Sequence, residues 1–221
     1  MSKEIVKQEP RRGGRPSRAE AGKIEDKILD AAAALFFSEG YGATSIEEIA
    51  RRAQISKRTF YARYDNKPDI FRAVVRRVIQ RLRPPDKATD QLFRGTDARE
   101  ILHRVAPLIL RASLSPDTLA MYRTVMAEAV RFPELAIILT EQGARQEAIR
   151  RIAEILQQEA KTKNLALADP AFAAEQFLFM VTGAPQRRAL GLGTPMTSDE
   201  LNAWARDTVD LFLKGCWGGS I

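Results

Sequence analysis

The chain has 221 residues, of which 45% are hydrophobic and 29% are charged, and this composition excludes a mostly disordered protein. The longest apolar run, residues 31–37, is far shorter than the roughly 18 to 20 residues that cross a bilayer. Residues 1–83 contain 19 Lys and Arg against 11 Asp and Glu, whereas the remainder has a net charge of −1. A basic segment of this size suits nucleic acid, although a solvated basic surface would have the same composition.

The first elements in chain order are an arm and a long helix. Residues 1–20 are polar and basic and show no apolar periodicity, so we predict a flexible arm. Ser17 and Glu20 form a possible capping box, and apolar residues recur at helical spacing from Ile24 to Leu35. Gly40 is a suitable stop for this first helix.

Three shorter helices follow within the basic segment. Each predicted start carries a hydroxyl or amide side chain that can accept a backbone N–H, and Pro68 is tolerated in the first turn of the last one. The caps that we predict are Thr44 or Ser45, Ser56, and Asn66. Pro84 and Pro85 then end the fourth helix and mark a domain boundary.

The remainder of the chain is predicted to be helical after a short, partly polar connector. Proline, glycine and aspartate divide it, and no stretch has the alternating pattern of a β-strand. The predicted helices lie near 97–113, 116–131, 134–161, 170–187 and 198–214. The predicted fold is therefore all-α, with about nine helices.

Residues 44–70 have the anatomy of a helix-turn-helix. A helix of seven or eight residues is followed by a tight turn at Gln54 and Ile55 and by a second short helix. Phe60 and Tyr64 lie four residues apart and should face inward. The opposite face then carries long donors suited to base edges and phosphates in a major groove, namely Lys57, Arg58 and Tyr61.

This stretch resembles the DNA-binding domain of the TetR family over residues 24–71. The positions that carry the resemblance are Thr44, Ile49, Ala50, Ser56, Thr59, Tyr61, Tyr64 and Lys67. The resemblance implies phosphate contacts from Thr44, Thr59, Tyr61, Arg63 and Lys67, and base contacts from Ser56, Lys57 and Arg58. We add Ser45 and Tyr64 to this set of DNA-binding residues. The chain departs from the family at Gln54, where glycine is common and a positive φ is expected, and at Arg63, where an imidazole or phenol is usual.

The RRGGRP sequence at residues 11–16 resembles an AT-hook core. Arg15, flanked by glycine and proline, could lie in a narrow minor groove. A disordered tail that merely raises general DNA affinity is the alternative.

The family resemblance implies a homodimer and a small, hydrophobic effector. The predicted interface lies on the last two helices and includes Phe172, Phe179, Leu201, Trp204 and Leu211. Candidate effector contacts are His103, Met121, Tyr122, Met126, Phe132, Phe177 and Met180, although such residues are also ordinary core residues. Residues 131–135, with the sequence RFPEL, resemble the C-terminal domain of the AefR-like branch of the family.

The predicted organisation is a basic arm at 1–20, a helix-turn-helix DNA-binding domain at 21–83, and a ligand-binding and dimerisation domain at 84–221. We expect a repressor that an effector releases from a palindromic operator; the alternative is an architectural DNA-binding or interaction dimer without an effector. We expect no enzymatic activity, metal or cofactor, because His103 and Cys216 are the sole histidine and cysteine. The unpaired cysteine and the lack of a signal peptide predict a cytoplasmic protein.

Overall fold

A computed structural model describes residues 18–83, 85–95, 97–142 and 144–216, and these ranges contain α-helices and no β-strand. The helices are α1 (Arg18–Ser38), α2 (Ile46–Arg52), α3 (Lys57–Tyr61), α4 (Lys67–Leu82), α5 (Asp86–Leu92), α6 (Ala98–Ser113), α7 (Pro116–Glu128), α8 (Glu134–Glu141), α9 (Ala144–Lys163), α10 (Pro170–Ala189) and α11 (Ser198–Cys216). The all-α prediction is confirmed. Within the described ranges, every helix is too short or too polar to cross a lipid bilayer.

Two differences from the predicted helices concern the C-terminal part of the chain. The predicted connector after the double proline contains α5, a single short helix without a side-chain N-cap. The predicted helix at 134–161 is divided into α8, which ends at Glu141, and α9, which begins at Ala144. The sequence of the predicted helix contains one glycine, at position 143. Glycine is disfavoured inside helices, but the apolar pattern continues on both sides and concealed the break.

The start of α1 agrees with the predicted cap, although it overlaps the range predicted as an arm. α1 begins at Arg18, inside the range predicted as an arm. The RRGGRP sequence, Arg15 and the proposed cap at Ser17 lie outside the described residues.

Side-chain caps fix the starts of the next three helices as predicted. Ser45, Ser56 and Asn66 each accept the backbone N–H of the residue three positions later, at 2.9–3.1 Å. These bonds satisfy amide groups that have no partner within the helix, so the three starts are encoded locally.

The first hydrophobic core joins the N-terminal helices α1 to α4 to part of the C-terminal region. Phe36, Tyr41 and Phe71 form an aromatic cluster with ring centroids 5.3–5.4 Å apart. Leu135 and Ile138 of α8 are buried in the same core, together with Met121 and Val125 of α7. Residues on both sides of the predicted boundary at residue 84 therefore contribute to this core.

The second core lies within the C-terminal domain, among α6, α9, α10 and α11. The rings of Phe177 and Phe212 pack at 5.0 Å, and Leu102 and Ile152 are fully buried beside other apolar side chains. The indole N–H of Trp204 donates to the carbonyl of Val181 at 3.0 Å, which ties α11 to α10. The second core thus forms a helical block, and α7 and α8 connect it to the N-terminal helices.

Candidate nucleic-acid interface

The turn between α2 and α3 sets the angle at which α3 leaves the domain. Gln54 adopts φ +56°, as predicted, and the Ile55 amide donates to the carbonyl of Ala50 at 3.0 Å. A left-handed conformation costs a residue with a side chain about 1 kcal/mol relative to glycine. The buried side chains of Ile49 and Phe60 hold α2 and α3 together and offset this cost.

The outer face of α3 presents the donors that the sequence predicted. Lys57, Arg58 and Tyr61 are exposed, whereas Phe60 is fully buried and Tyr64 is only 9% exposed. The prediction that Phe60 and Tyr64 face inward is confirmed. A helix with two cations and a phenol on its free face has the chemistry needed to contact base edges and phosphates in a major groove.

An acidic residue of α2 contacts this outer face. The Lys57 ammonium donates to Glu47 Oε1 at 2.5 Å, and both side chains are more than half exposed. The hydrogen bond from Lys57 lowers the pKa of Glu47, so this carboxylate is charged at neutral pH. The contact competes with any phosphate or base that Lys57 would bind.

Two of the predicted phosphate-binding side chains are engaged inside the protein. Thr44 is 2% exposed, and its hydroxyl donates to the carbonyl of Gly40 at 2.7 Å. The Lys67 ammonium donates to the carbonyls of Tyr41, Gly42 and Thr44 at 2.8, 3.4 and 3.0 Å. Burial lowers the pKa of Lys67, because removal from water disfavours the charged form of the ammonium. Both residues shape the loop before α2 in this conformation.

The other predicted contacts differ in exposure. The hydroxyls of Ser56 and Thr59 lie 2.8 Å apart at the start of α3, while the guanidinium of Arg63 donates to the carbonyl of Thr59 at 3.2 Å. Burial raises the pKa of Tyr64 to about 12, and this side chain belongs to the core. Ser45 is exposed as the cap of α2. Ser56, Thr59 and Arg63 therefore lie on or beside α3, Ser45 lies at the start of α2, and Tyr64 is buried.

The residues predicted to form a dimer interface lie on the outer faces of α10 and α11. Phe172, Phe179 and Leu211 are 60%, 53% and 64% exposed, so each leaves most of its apolar side chain open to solvent. Leu201 and Trp204 are partly exposed. Phe172 and Phe179 are seven residues apart, as are Trp204 and Leu211, so each helix carries an apolar stripe along one face.

The residues predicted to contact an effector are dispersed. Met121 is buried in the first core and Phe177 in the second, and Met126 is 75% exposed. Tyr122 and Phe132 pack against the first core and Met180 against the second. His103 Nε2 lies 3.3 Å from a carboxylate oxygen of Asp210 on α11. That these seven residues line one pocket stays a prediction.

A cleft of about 440 Å³ lies between α6 and α9. Its lining combines apolar and charged side chains and includes none of the seven predicted effector residues: Phe93, Gly95, Ile101, Arg150, Arg151, Glu154, Ile155 and Gln158. The guanidinium of Arg151 lies 5.3 Å from the ring centroid of Phe93. The cleft therefore offers a concave surface with an aromatic ring, two arginines and the carboxylate of Glu154, which pairs with Arg150 at 2.6 Å.

The sequence analysis missed two carboxylates that contact the helix-turn-helix and the loop before it. Glu47 pairs with a residue ten positions away, and Glu128 bonds to backbone amides 86 and 87 positions away. Neither separation follows a helical or capping rule, so the sequence pattern contained no signal for either contact.

Comparisons with known proteins agree with this arrangement. Residues 28–74 match the family model for bacterial regulatory proteins of the tetR family, which describes the N-terminal domain. Residues 100–215 match the family model for the C-terminal domain of AefR-like transcriptional repressors. Together the two matches include the helix-turn-helix and nearly all of the second core.

Solved structures resemble the chain over most of its length. The flavonoid-responsive regulator FrrA is 30% identical, with a TM-score of 0.70, over 89% of this chain and 98% of that one. A structure from Mesorhizobium loti that is assigned to the TetR family is 27% identical, with a TM-score of 0.72, over 90% and 98% of the two chains.

Curated relatives match a shorter region. The repressor IcaR of Staphylococcus epidermidis is 40% identical over 52 residues, which are 24% of this chain and 28% of that protein. The repressor ComR of Escherichia coli is 40% identical over 68 residues, or 31% of each chain. The chain thus spans less than a third of the length of these two relatives.

The contact between Glu47 and Lys57 generates a prediction for DNA affinity. Replacing Glu47 by Gln frees the Lys57 ammonium, and we expect affinity for DNA to rise about two- to fivefold, the effect of an exposed ion pair. Fluorescence anisotropy with a labelled duplex at fixed salt measures the change.

The matched control is Glu48→Gln, which removes the same charge from α2 but from a carboxylate that pairs with Arg51. An equal gain in both variants would show that general charge, rather than release of Lys57, governs the affinity.

Proposed function

Because the chain belongs to the TetR family of transcriptional regulators and is a DNA-binding regulator, we propose that it represses transcription from a near-palindromic operator until a small effector releases it. The observation that carries this proposal is the outer face of α3, where Lys57, Arg58 and Tyr61 are exposed. We further propose that the protein acts in the cytoplasm and catalyses no reaction.

The short recognition helix explains why two copies are needed. The five residues of α3 reach only a few base pairs, whereas two copies placed about 34–36 Å apart would read two half-sites one helical turn apart. Members of the family bind DNA as dimers. We propose that this dimer follows the same geometry, so its operator is a near-palindrome.

Selection from random duplexes tests operator recognition. We expect one near-palindromic sequence to be enriched and to bind at least about 10³-fold more tightly than a scrambled duplex at physiological salt. Lys57→Ala and Tyr61→Ala should each reduce this preference, because they remove contacts from the outer face of α3. The control is Lys161→Ala, which removes an exposed lysine from α9.

The competing function is an architectural DNA-binding protein without sequence preference. Equal binding of the selected and scrambled duplexes would contradict the operator proposal and favour that alternative. Binding of neither duplex would contradict both.

The proposed dimer interface consists of the apolar stripes on α10 and α11. Pairing these two helices with their copies would bury Phe172, Phe179 and Leu211, three large side chains that a single chain exposes. An obligate interface characteristically has such an apolar centre. Leu201 and Trp204 would lie beside them.

A charge placed in the stripe tests this interface. Leu211→Lys should convert the dimer into a monomer, because association would bury an unpaired ammonium. Light scattering after size-exclusion chromatography measures the mass. Leu192→Lys is the control, since Leu192 is 65% exposed but lies in the loop between α10 and α11. A Leu211→Lys protein that stays dimeric would contradict the proposed interface.

The proposed effector site is the cleft between α6 and α9. Phe93, Ile101 and Ile155 provide apolar surface, and Arg150 and Arg151 provide cations. FrrA is described as flavonoid-responsive. A planar aromatic compound with phenol groups would stack on Phe93 and accept hydrogen bonds from the arginines, so we propose effectors of this class.

We propose that the effector shifts α4, which connects the two domains. Its side chains Ile70, Phe71, Val74 and Val75 are buried in the first core. A tilt of α4 would therefore move α3 and change the separation of the two recognition helices. A 100-fold loss of operator affinity requires about 2.7 kcal/mol of coupling between the two sites.

Titration with a panel of flavonoids tests the effector proposal. A flavonoid that binds should weaken operator binding, and the operator should weaken flavonoid binding by the same factor. Phe93→Ala should reduce flavonoid affinity, whereas Met180→Ala, which lies against the second core, should not. Independent binding of flavonoid and operator would contradict release by effectors of this class.

A further inference from the structure

The loop between α1 and α2, residues 39–45, receives a carboxylate from the C-terminal domain. The two oxygens of Glu128, the last residue of α7, accept the backbone N–H groups of Tyr41 and Gly42 at 2.5 and 2.6 Å. Hydrogen bonds to an ionised acceptor are shorter and about twice as strong as those between neutral groups. We call this pair of bonds the Glu128 clasp.

The same loop is held from α4 by a cation. Lys67 donates to the carbonyls of Tyr41, Gly42 and Thr44. Amide groups of the loop thus face a carboxylate, and its carbonyl groups face an ammonium. The Lys67 ammonium also lies 4.5 Å from the ring centroid of Tyr41. The loop is therefore fixed by side chains from both domains.

Two glycines make room for the carboxylate. A Cβ atom on Gly40 would lie 2.7 Å from Glu128 Oε1, and one on Gly42 would lie 2.7 Å from Oε2 and 3.0 Å from the Phe132 ring. Gly40 also has a positive φ of +96°, but Gly42 does not. At position 42 the requirement for glycine therefore comes from the close approach of Glu128 and not from the backbone conformation.

The corner between α7 and α8 packs around the Glu128 clasp. The Phe132 ring packs edge-on against Tyr41 at 5.2 Å, and the Tyr41 hydroxyl donates to Glu134 at 3.3 Å. One turn earlier in α7, the buried Thr124 hydroxyl lies within hydrogen-bond distance of two carbonyls, those of Phe36 at 3.2 Å and Ala120 at 3.1 Å. These contacts leave the loop little freedom to move relative to α7.

We propose that Glu128 is a positioning residue for DNA recognition, because the clasp sets the orientation of the helix-turn-helix relative to the C-terminal domain. The loop leads directly into Ser45 and α2, and α2 carries α3 through the turn at Gln54. The clasp is a connection between the domains that does not pass along α4. This inference rests on the proposed palindromic operator, whose two half-sites must meet recognition helices at a fixed separation.

Operators with altered spacing test the orientation directly. Glu128→Gln keeps the size of the side chain but removes its charge, and one oxygen acceptor becomes an NH₂ donor that faces an N–H. We expect affinity for the selected operator to fall about tenfold, the effect of a lost charge-assisted hydrogen bond. The preference over operators lengthened or shortened by one or two base pairs should weaken, while affinity for the scrambled duplex stays unchanged.

The control is Glu100→Gln, which removes the charge of an exposed carboxylate on α6. Hydrogen exchange gives a readout that needs no DNA. In Glu128→Gln the amides of Tyr41 and Gly42 should exchange faster than in the wild-type protein, and those within the second core should not change. Gly42→Ala should have the same effects, because its Cβ displaces the carboxylate, and combining it with Glu128→Gln should add little.

The outcomes separate this inference from the proposed function. A wild-type protein without any spacing preference would contradict the palindromic operator and the inference with it. A wild-type preference that Glu128→Gln keeps would contradict the role of the clasp alone. An equal loss of affinity for operator and scrambled duplex would also contradict it, because a general structural defect acts on both.

Discussion

The packing of Tyr41 between the two domains is the interaction on which the rest of the structure depends. Its ring contacts Phe36 and Phe71 on one side and Phe132 on the other, so a single aromatic side chain belongs to both domains. Burial of several aromatic rings contributes several kcal/mol through area alone, with about 0.5–1.5 kcal/mol more for each pair. A helix-turn-helix is too small to be rigid alone. Through this shared core it packs as one unit with α7 and α8.

The polar side chains of the helix-turn-helix and its preceding loop form two groups, one engaged inside the protein and one exposed to solvent. On the inside, Thr44 and Lys67 satisfy backbone carbonyls, and on the outside Lys57, Arg58 and Tyr61 remain exposed. Inner polar groups need partners, because an unsatisfied group costs about 1–3 kcal/mol when buried. The family resemblance implied phosphate contacts from Thr44, Lys67 and Tyr61 and base contacts from Lys57 and Arg58. The structure instead separates the two residues engaged with the loop from the three on the outer face of α3.

The sequence was most informative where local rules apply. The caps at Ser45, Ser56 and Asn66, the positive φ of Gln54 and the inward face of α3 follow from interactions within a few residues, and all were predicted. The break between α8 and α9 and the short α5 were missed, because apolar spacing continues through the first and the second has no side-chain cap. The roles of Glu128 and Lys67 depend on partners 86 and 26 positions away, and only the folded chain brings such groups together.

The internal engagement of cations has a consequence for the thermodynamics of DNA binding. Residues 1–83 contain 19 Lys and Arg, but Lys67 is held by carbonyls and Arg77 lies against Asp26 and Asp30 of α1. Only a cation that neutralises a phosphate releases condensed counterions, and each such contact contributes about 0.9 to the exponent of the salt dependence. The affinity should therefore depend on salt less steeply than the basic composition suggests, because cations such as Lys67 and Arg77 already have partners within the protein. The net charge of the domain attracts DNA, whereas the number of counterions released on binding depends on how many cationic side chains can contact phosphates.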